Sequence, residues 1–222
     1  ESLSDGVFAI AIGMLLISSN PPTTFDELKI FIKDFVPFAG TISVLMWIWY
    51  QHYLFFIRFG LRDASTTAIN TIVLFLVLFY TYPLKFMFRI LVDLYQGLIT
   101  SNQELLNHLF TETIHPKDTA SLMVIYGFGA AAIFFVFVWL NTRALKRKEM
   151  IGLSIIEIQL TKNTIFMNLA SGVIPMLSAT IAFFELAGNY TFMVSGFIYM
   201  SYSFVMPLVS YYGRKKLSNL TD

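Results

Sequence analysis

Charged side chains are few in this chain, and those set inside or beside apolar runs are the places where chemistry is expected. Lys and Arg number 15, Asp and Glu 14, in 222 residues. A charge at mid-membrane costs roughly 2.5–3.5 kcal/mol on insertion scales, so it persists where it has a task. Four candidates stand out: Asp5, His52, Glu157 and Glu185. Asp5, His52 and Glu185 sit near the ends of apolar runs and Glu157 in the polar segment before the fifth run, none at mid-membrane, so a buried proton relay lacks its parts. That argues against a proton-coupled pump.

Enzyme signatures are missing from the chain. HExxH, GxSxG, a P-loop and GxGxxG do not occur, so the phosphate-cradling and metal-hydrolase arrangements they build have no basis. His52, His108 and His115 form no metal-ligand spacing; His108 and His115 are seven apart and read as a solvated pair or one helix face. With no cysteine, disulfides, thiolate metal sites and cysteine nucleophiles are excluded. A TVGYG-type run is absent, and with it a carbonyl-lined potassium filter of that kind.

The elements carrying these residues belong to a membrane protein. Hydrophobic residues make up 56%, aromatics 17% and charged residues only 13%, against about 25% charged in a globular domain. Mean hydropathy is +0.67, which leaves too little polar surface to cover a water-exposed globule. The net charge of +1 offers nucleic acid no field. Since a spanning helix needs about 20 residues, we expect an all-α, polytopic fold of six transmembrane helices in one domain over 1–222. The spans are expected at 4–19, 35–57, 66–84, 119–140, 164–184 and 190–211. The first is short for a lipid-facing helix, and 26–34 reads as an interfacial amphipathic turn. Residues 92–118 read as the one long polar connection, and 143–162 as a polar helical segment. The chain opens at Glu1 directly into an apolar run, which reads as a trimmed N-terminus rather than a signal peptide.

Orientation follows from basic residues. With both termini cytoplasmic, that side gains Arg58, Arg62, Arg143, Lys146, Arg147, Lys148, Lys162, Arg214, Lys215 and Lys216. The other keeps Lys29, Lys33, Lys85, Arg89 and Lys117. Both ends are therefore expected inside.

The first span is the unusual one. At 3.6 residues per turn Gly6, Ile10, Gly13 and Ile17 share one stripe, with Met14 beside it. Small residues let helices approach closely, so one reading is a packed bundle core. The other is a central helix repeated around a symmetry axis, with Ile10, Met14 and Ile17 aimed at the axis as a hydrophobic constriction that gates by dewetting.

Three motifs on successive spans carry a family likeness. The run Leu3-Ser4-Asp5-Gly6-Val7-Phe8-Ala9-Ile10 resembles the Phe-Ser-Asp signature that opens the first helix of the transmembrane protein 175 family, the lysosomal and prokaryotic potassium channels. Trp49-Tyr50-Gln51-His52 is similar to its Trp-x-x-His, and Asn70 followed by the run to Tyr82-Pro83 to its Asn…Pro pattern. The likeness covers about the first 85 residues. Leu3 replaces the signature Phe, its upstream Arg falls before Glu1, and Gly13 stands where some relatives carry Thr. That last departure puts a hydroxyl-based selectivity step in doubt.

The resemblance implies one six-helix repeat assembling as a homotetramer, with the first helices lining the pore. Ile10, Gly13, Met14 and Ile17 would form the pore and gate, and Ser4, Asp5, Trp49, His52 and Asn70 a polar network bracing that helix. A carboxylate at Asp5 needs donors, which His52 and the indole of Trp49 or Trp47 are able to supply. Asp5 also reads as an N-cap-type residue favoured by the helix dipole, Trp49 as a belt aromatic, and His52 as a structural hydrogen bond. The function implied is a potassium-preferring cation channel, not an enzyme, with no cofactor or metal beyond the permeant ion. Its partners would be membrane lipid, potassium and its own copies, and its place a prokaryotic inner membrane. The competing classes are a secondary transporter of a small solute and a non-conducting membrane scaffold.

Overall fold

The computed structural model describes residues 2–17 and 21–220, with the side chains of 2, 16, 17 and 116 outside that description. Ten α-helices follow one another among the described residues, and no strand occurs among them. Helices suit lipid, because each satisfies its backbone N–H and C=O groups within its own segment. Among the described residues five helical stretches are long and apolar enough to cross a membrane, and a shorter apolar helix precedes them at Leu3–Leu15.

Helix α1 (Ser2–Ile17) has 16 residues, about 24 Å at 1.5 Å per residue. Helix α2 (Phe25–Lys33) is the amphipathic segment expected before the second span, now a full helix rather than a turn. A capping box starts it: Glu27 N donates to Thr24 Oγ1 at 3.2 Å, and Thr24 N to Glu27 Oε2 at 3.3 Å. None of its residues is buried. Helix α3 (Phe35–Phe59) follows directly. Its buried positions Thr41, Leu45, Ile48, His52, Phe55 and Phe59 recur at alternating steps of four and three, one continuous face of a helix. Gly60, at φ 57, ends it.

Helix α4 (Ala64–Ile99) departs from the expected span of 66–84. It passes through Pro83 and absorbs the start of the segment expected to be a polar connection. Proline by itself reads as a span end; in a membrane helix neighbouring groups re-satisfy the freed carbonyl and the helix continues. At 36 residues it is about 54 Å long, well beyond the roughly 30 Å hydrocarbon core. Beyond it come α5 (Gln103–His108), a π turn at Leu109–Thr113 and a 3-10 turn at Pro116–Asp118.

Helix α6 (Thr119–Lys146), α7 (Lys148–Ile151) and α8 (Ile155–Phe183) come next. Ser154 and Glu157 form a second capping box, with Ser154 N donating to Glu157 Oε2 at 2.8 Å. The last apolar stretch is interrupted: α9 (Thr191–Ile198) and α10 (Tyr202–Ser218) are joined by a 3-10 turn at Tyr199–Ser201.

The chain divides into two compact units. One comprises Glu1–Gln51 with Leu74–Thr119, the other His52–Val73 with Ala120–Asp222. In the first, the ring of Phe88 lies so near Gly40 that an added Cβ would meet it at 2.6 Å. In the second, α6 and α8 approach through small residues: a Cβ on Gly127 would lie 2.6 Å from the Pro175 carbonyl oxygen. Polar bonds tie α8 to the last helices, with Tyr202 Oη donating to the Ser171 carbonyl at 2.6 Å and Asn163 Nδ2 to the Gly213 carbonyl at 3.0 Å. Close approach plus interhelical hydrogen bonds is how helices associate where hydrophobic driving force is lacking.

Candidate functional site

Helix α1 has two unlike faces. Ser4, Phe8, Ala11 and Leu15, again at steps of four and three, are buried. On the opposite side Leu3, Gly6 and Ile10 are exposed, Ile10 at 59%, and Gly13 and Met14 are half-buried. An added Cβ at Gly6 or Gly13 would meet nothing within 4 Å. Neither glycine is therefore demanded by packing within this chain, in contrast to Gly127. An apolar, small-residue stripe thus turns away from the chain's own core. Ile17 ends the helix, and its side chain lies outside the described residues.

Five polar residues were expected to brace α1, and the structure joins four of them in two pairs. In the first unit, Trp49 Nε1 on α3 donates to Asp5 Oδ1 at 2.9 Å. The carboxylate sits in the first turn of α1, where the positive end of the helix dipole also favours it. In the second unit, His52 Nε2 on α3 lies 2.6 Å from Asn70 Oδ1 on α4. With that oxygen as acceptor, His52 carries its proton on Nε2. His52 is buried to 3% exposure and its ring packs against Phe56 at 4.8 Å between centroids. Trp49 and His52 are three apart on α3, and each residue of the Trp-x-x-His spacing makes one of these bonds within its own unit. Ser4, the fifth, is buried.

The other end of α1 is held by a residue not assigned a site role in the sequence. Lys85 Nζ on α4 donates to the Leu15 carbonyl at 3.3 Å. A cation there satisfies a terminal carbonyl and complements the negative end of the helix dipole.

A second missed residue is Asp63, in the turn between α3 and α4. Thr66 Oγ1 donates to its Oδ1 at 2.7 Å, Arg147 Nη1 to the same oxygen at 2.9 Å, and Arg143 Nη2 to Oδ2. Arg143 Nε also donates to Thr66 Oγ1 at 3.1 Å. The Thr66 hydroxyl and then the Arg143 guanidinium hold the Asp63 carboxyl well below the usual carboxylate range. One signal was available: Asp63 is the only acid between Asp34 and Asp93. Its partners lie about 80 residues away along the chain, beyond the reach of local pattern.

Among the described residues no three His, Asp or Glu side chains gather where they could hold a metal ion. What the arrangement offers chemically is a polar-pinned helix with a bare apolar stripe.

Known proteins are similar to this chain over most of its length. The family model of the endosomal/lysosomal potassium channel TMEM175 matches residues 1–80. A potassium channel of Marivirga tractuosa is 42% identical over 215 residues, covering 96% of this chain and 85% of that protein. The crystal structure of a variant of the potassium channel MtTMEM175, in complex with a nanobody–MBP fusion protein, superposes with a TM-score of 0.85 at 40% identity. That match covers 97% of this chain and 91% of the other.

Proposed function

This chain belongs to the TMEM175 potassium channel family, and from that premise we propose that it is a potassium-preferring cation channel whose pore is lined by α1 in a homotetramer. The observation that carries the reading is the outward apolar stripe of α1. Ile10 is 59% exposed in a helix of only 16 residues, shorter than the roughly 30 Å hydrocarbon core it would have to cross if it faced lipid, and a position among copies of the same helix around an axis fits that length. Ile10, Met14 and Ile17 then form layers that water wets poorly, and an ion crossing them sheds part of its hydration. Gly13 leaves no hydroxyl at its level, so discrimination of potassium from sodium is moderate.

The polar pairs give the stripe a fixed bearing. Asp5–Trp49 and Lys85–Leu15 hold α1 near its two ends, and His52–Asn70 ties α3 to α4. Flow is driven by the electrochemical gradient and needs no cofactor. Six spans in one domain with both termini cytoplasmic fit the basic-residue bias, the short α1 serving as the first span, and a single repeat suits a prokaryotic inner membrane.

The test is flux from purified protein in liposomes under a potassium gradient and then a sodium gradient. Fast, non-saturating potassium flux exceeding sodium flux is the expected result. Silence under both gradients sinks the channel reading and favours a scaffold; saturable flux favours a transporter.

A further inference from the structure

A cavity of about 180 Å³ lies in the first unit, lined by Asp34, Pro37, Tyr82, Lys85, Phe86 and Arg89. One water occupies about 30 Å³ in the liquid, so the space admits a phosphate-sized group. We infer that it holds the headgroup of an anionic phospholipid, and that Lys85 links that site to the end of α1.

The lining has the chemistry of such a headgroup. Lys85 and Arg89 are four apart on α4, one above the other on one face. Two cations against the single acid, Asp34, leave a net positive cavity. A guanidinium meets two phosphate oxygens with its planar fork, while an ammonium acts as a compact point charge. Asp34 accepts hydrogen bonds, which suits a headgroup bearing hydroxyls, such as phosphatidylglycerol. Pro37, Tyr82 and Phe86 supply the apolar side of the cleft.

Lipid is favoured over a free anion by what adjoins the cavity. Helix α2 ends at Lys33, next to Asp34, and exposes Phe25, Ile30, Phe31 and Ile32. An amphipathic helix with bare apolar residues and Lys29 and Lys33 lies in the headgroup region of a bilayer, so the cavity opens where phospholipid phosphates are. Lys85 is also the donor to the Leu15 carbonyl at 3.3 Å. A phosphate beside its ammonium draws on the same group that caps α1, so lipid charge bears on the helix end. That coupling rests on the pore role of α1; lipid binding does not.

Binding and flux are measured separately. Native mass spectrometry of the purified protein, offered phosphatidylglycerol and phosphatidylcholine in equal amounts, is expected to show about tenfold enrichment of the former, worth about 1.4 kcal/mol. Arg89→Gln brings it near parity and Arg89→Lys restores part. Equal enrichment in wild type and Arg89→Gln overturns the site. Inorganic phosphate that protects the cavity with no lipid enrichment assigns it to a free anion and overturns the proposal. So does efficient disulfide pairing of Arg89→Cys, which assigns the cleft to a second copy of the chain; with no native cysteine that readout is clean. In liposomes, adding phosphatidylglycerol to phosphatidylcholine is expected to change potassium flux severalfold in wild type and not in Lys85→Gln. Enrichment without flux in any liposome leaves the lipid site standing and removes the channel reading; flux without enrichment does the reverse.

Discussion

Trp49 Nε1 donates to Asp5 Oδ1 at 2.9 Å across 44 residues of sequence, making an indole of α3 the partner of the carboxylate in the first turn of α1. The bond is charge-assisted yet partly open to solvent, so its net contribution is near the lower end for hydrogen bonds to charged groups. Trp49→Phe and Asp5→Ala should each lower the thermal midpoint of the purified protein. The double variant should be less damaged than the sum, with a coupling of about 1 kcal/mol. Additive losses in a double-mutant cycle would show that the two side chains act independently.

The Asp63 cluster gives a pH signature. A carboxyl held below its unfolded value of about 3.9 contributes stability that is fully present above that value and lost as pH falls through the folded one. Asp63 is held low first by Thr66 and then by Arg143. Asp63→Asn should therefore melt below wild type at neutral pH, and the gap should narrow as pH is taken from about 5 toward 3. A gap constant over that window would mean that the carboxylate's charge contributes nothing.

Glycines divide by what surrounds them. A Cβ on Gly127 would sit 2.6 Å from the Pro175 carbonyl oxygen and 2.7 Å from Ala179 Cβ, backbone and a short side chain that have little freedom to move. Gly127→Ala should cost about 1–3 kcal/mol, the usual range for overpacking, seen as a lower midpoint in a melting assay. Gly13→Ala, inside α1 with open space around it, should leave that midpoint of the isolated subunit no lower, and slightly raised by the gain in helix propensity, while altering conduction. Equal damage from both would contradict the difference in their surroundings.

Legibility in the sequence tracked how local each cause was. The apolar runs and the amphipathic pattern of 26–34 are set by residues within about twenty positions, and they were readable; the capping box that turns 26–34 into a helix was not picked out. Helix α4 was cut short because Pro83 carries a local stop signal that a membrane helix overrides; Lys85 and Arg89 then fell beyond the expected span when they sit four apart on a continuing helix. Asp5, Trp49, His52 and Asn70 were singled out together only because motifs on three spans resembled a family; which of them pair, with Trp49 on Asp5 and His52 on Asn70, was not legible, and spacing alone would have left each residue with a local role. Asp63 and Lys85 were missed for the same reason from the other side: no motif contains them, and their partners, Arg143 and Leu15, lie 80 and 70 residues away.

Ile10 offers the sharpest test of the pore. Its side chain is exposed while Ala11, beside it, is fully buried, so the two positions separate conduction from folding. If Ile10 forms a layer that excludes water, Ile10→Asn supplies hydrogen-bonding groups where an ion sheds its shell, and the barrier falls. A reduction of about 1 kcal/mol corresponds to roughly fivefold more flux, so potassium flux should rise at least that much at unchanged protein per liposome. Sodium flux should rise more, because the dehydration step that separates the ions weakens. Ala11→Asn instead places an amide in the packed face and should lower yield and thermal midpoint without raising flux per folded channel. Should Ile10→Asn leave flux unchanged in a protein of normal stability, the stripe is not the barrier, and the covering of α1 must be sought in a non-conducting interface between copies.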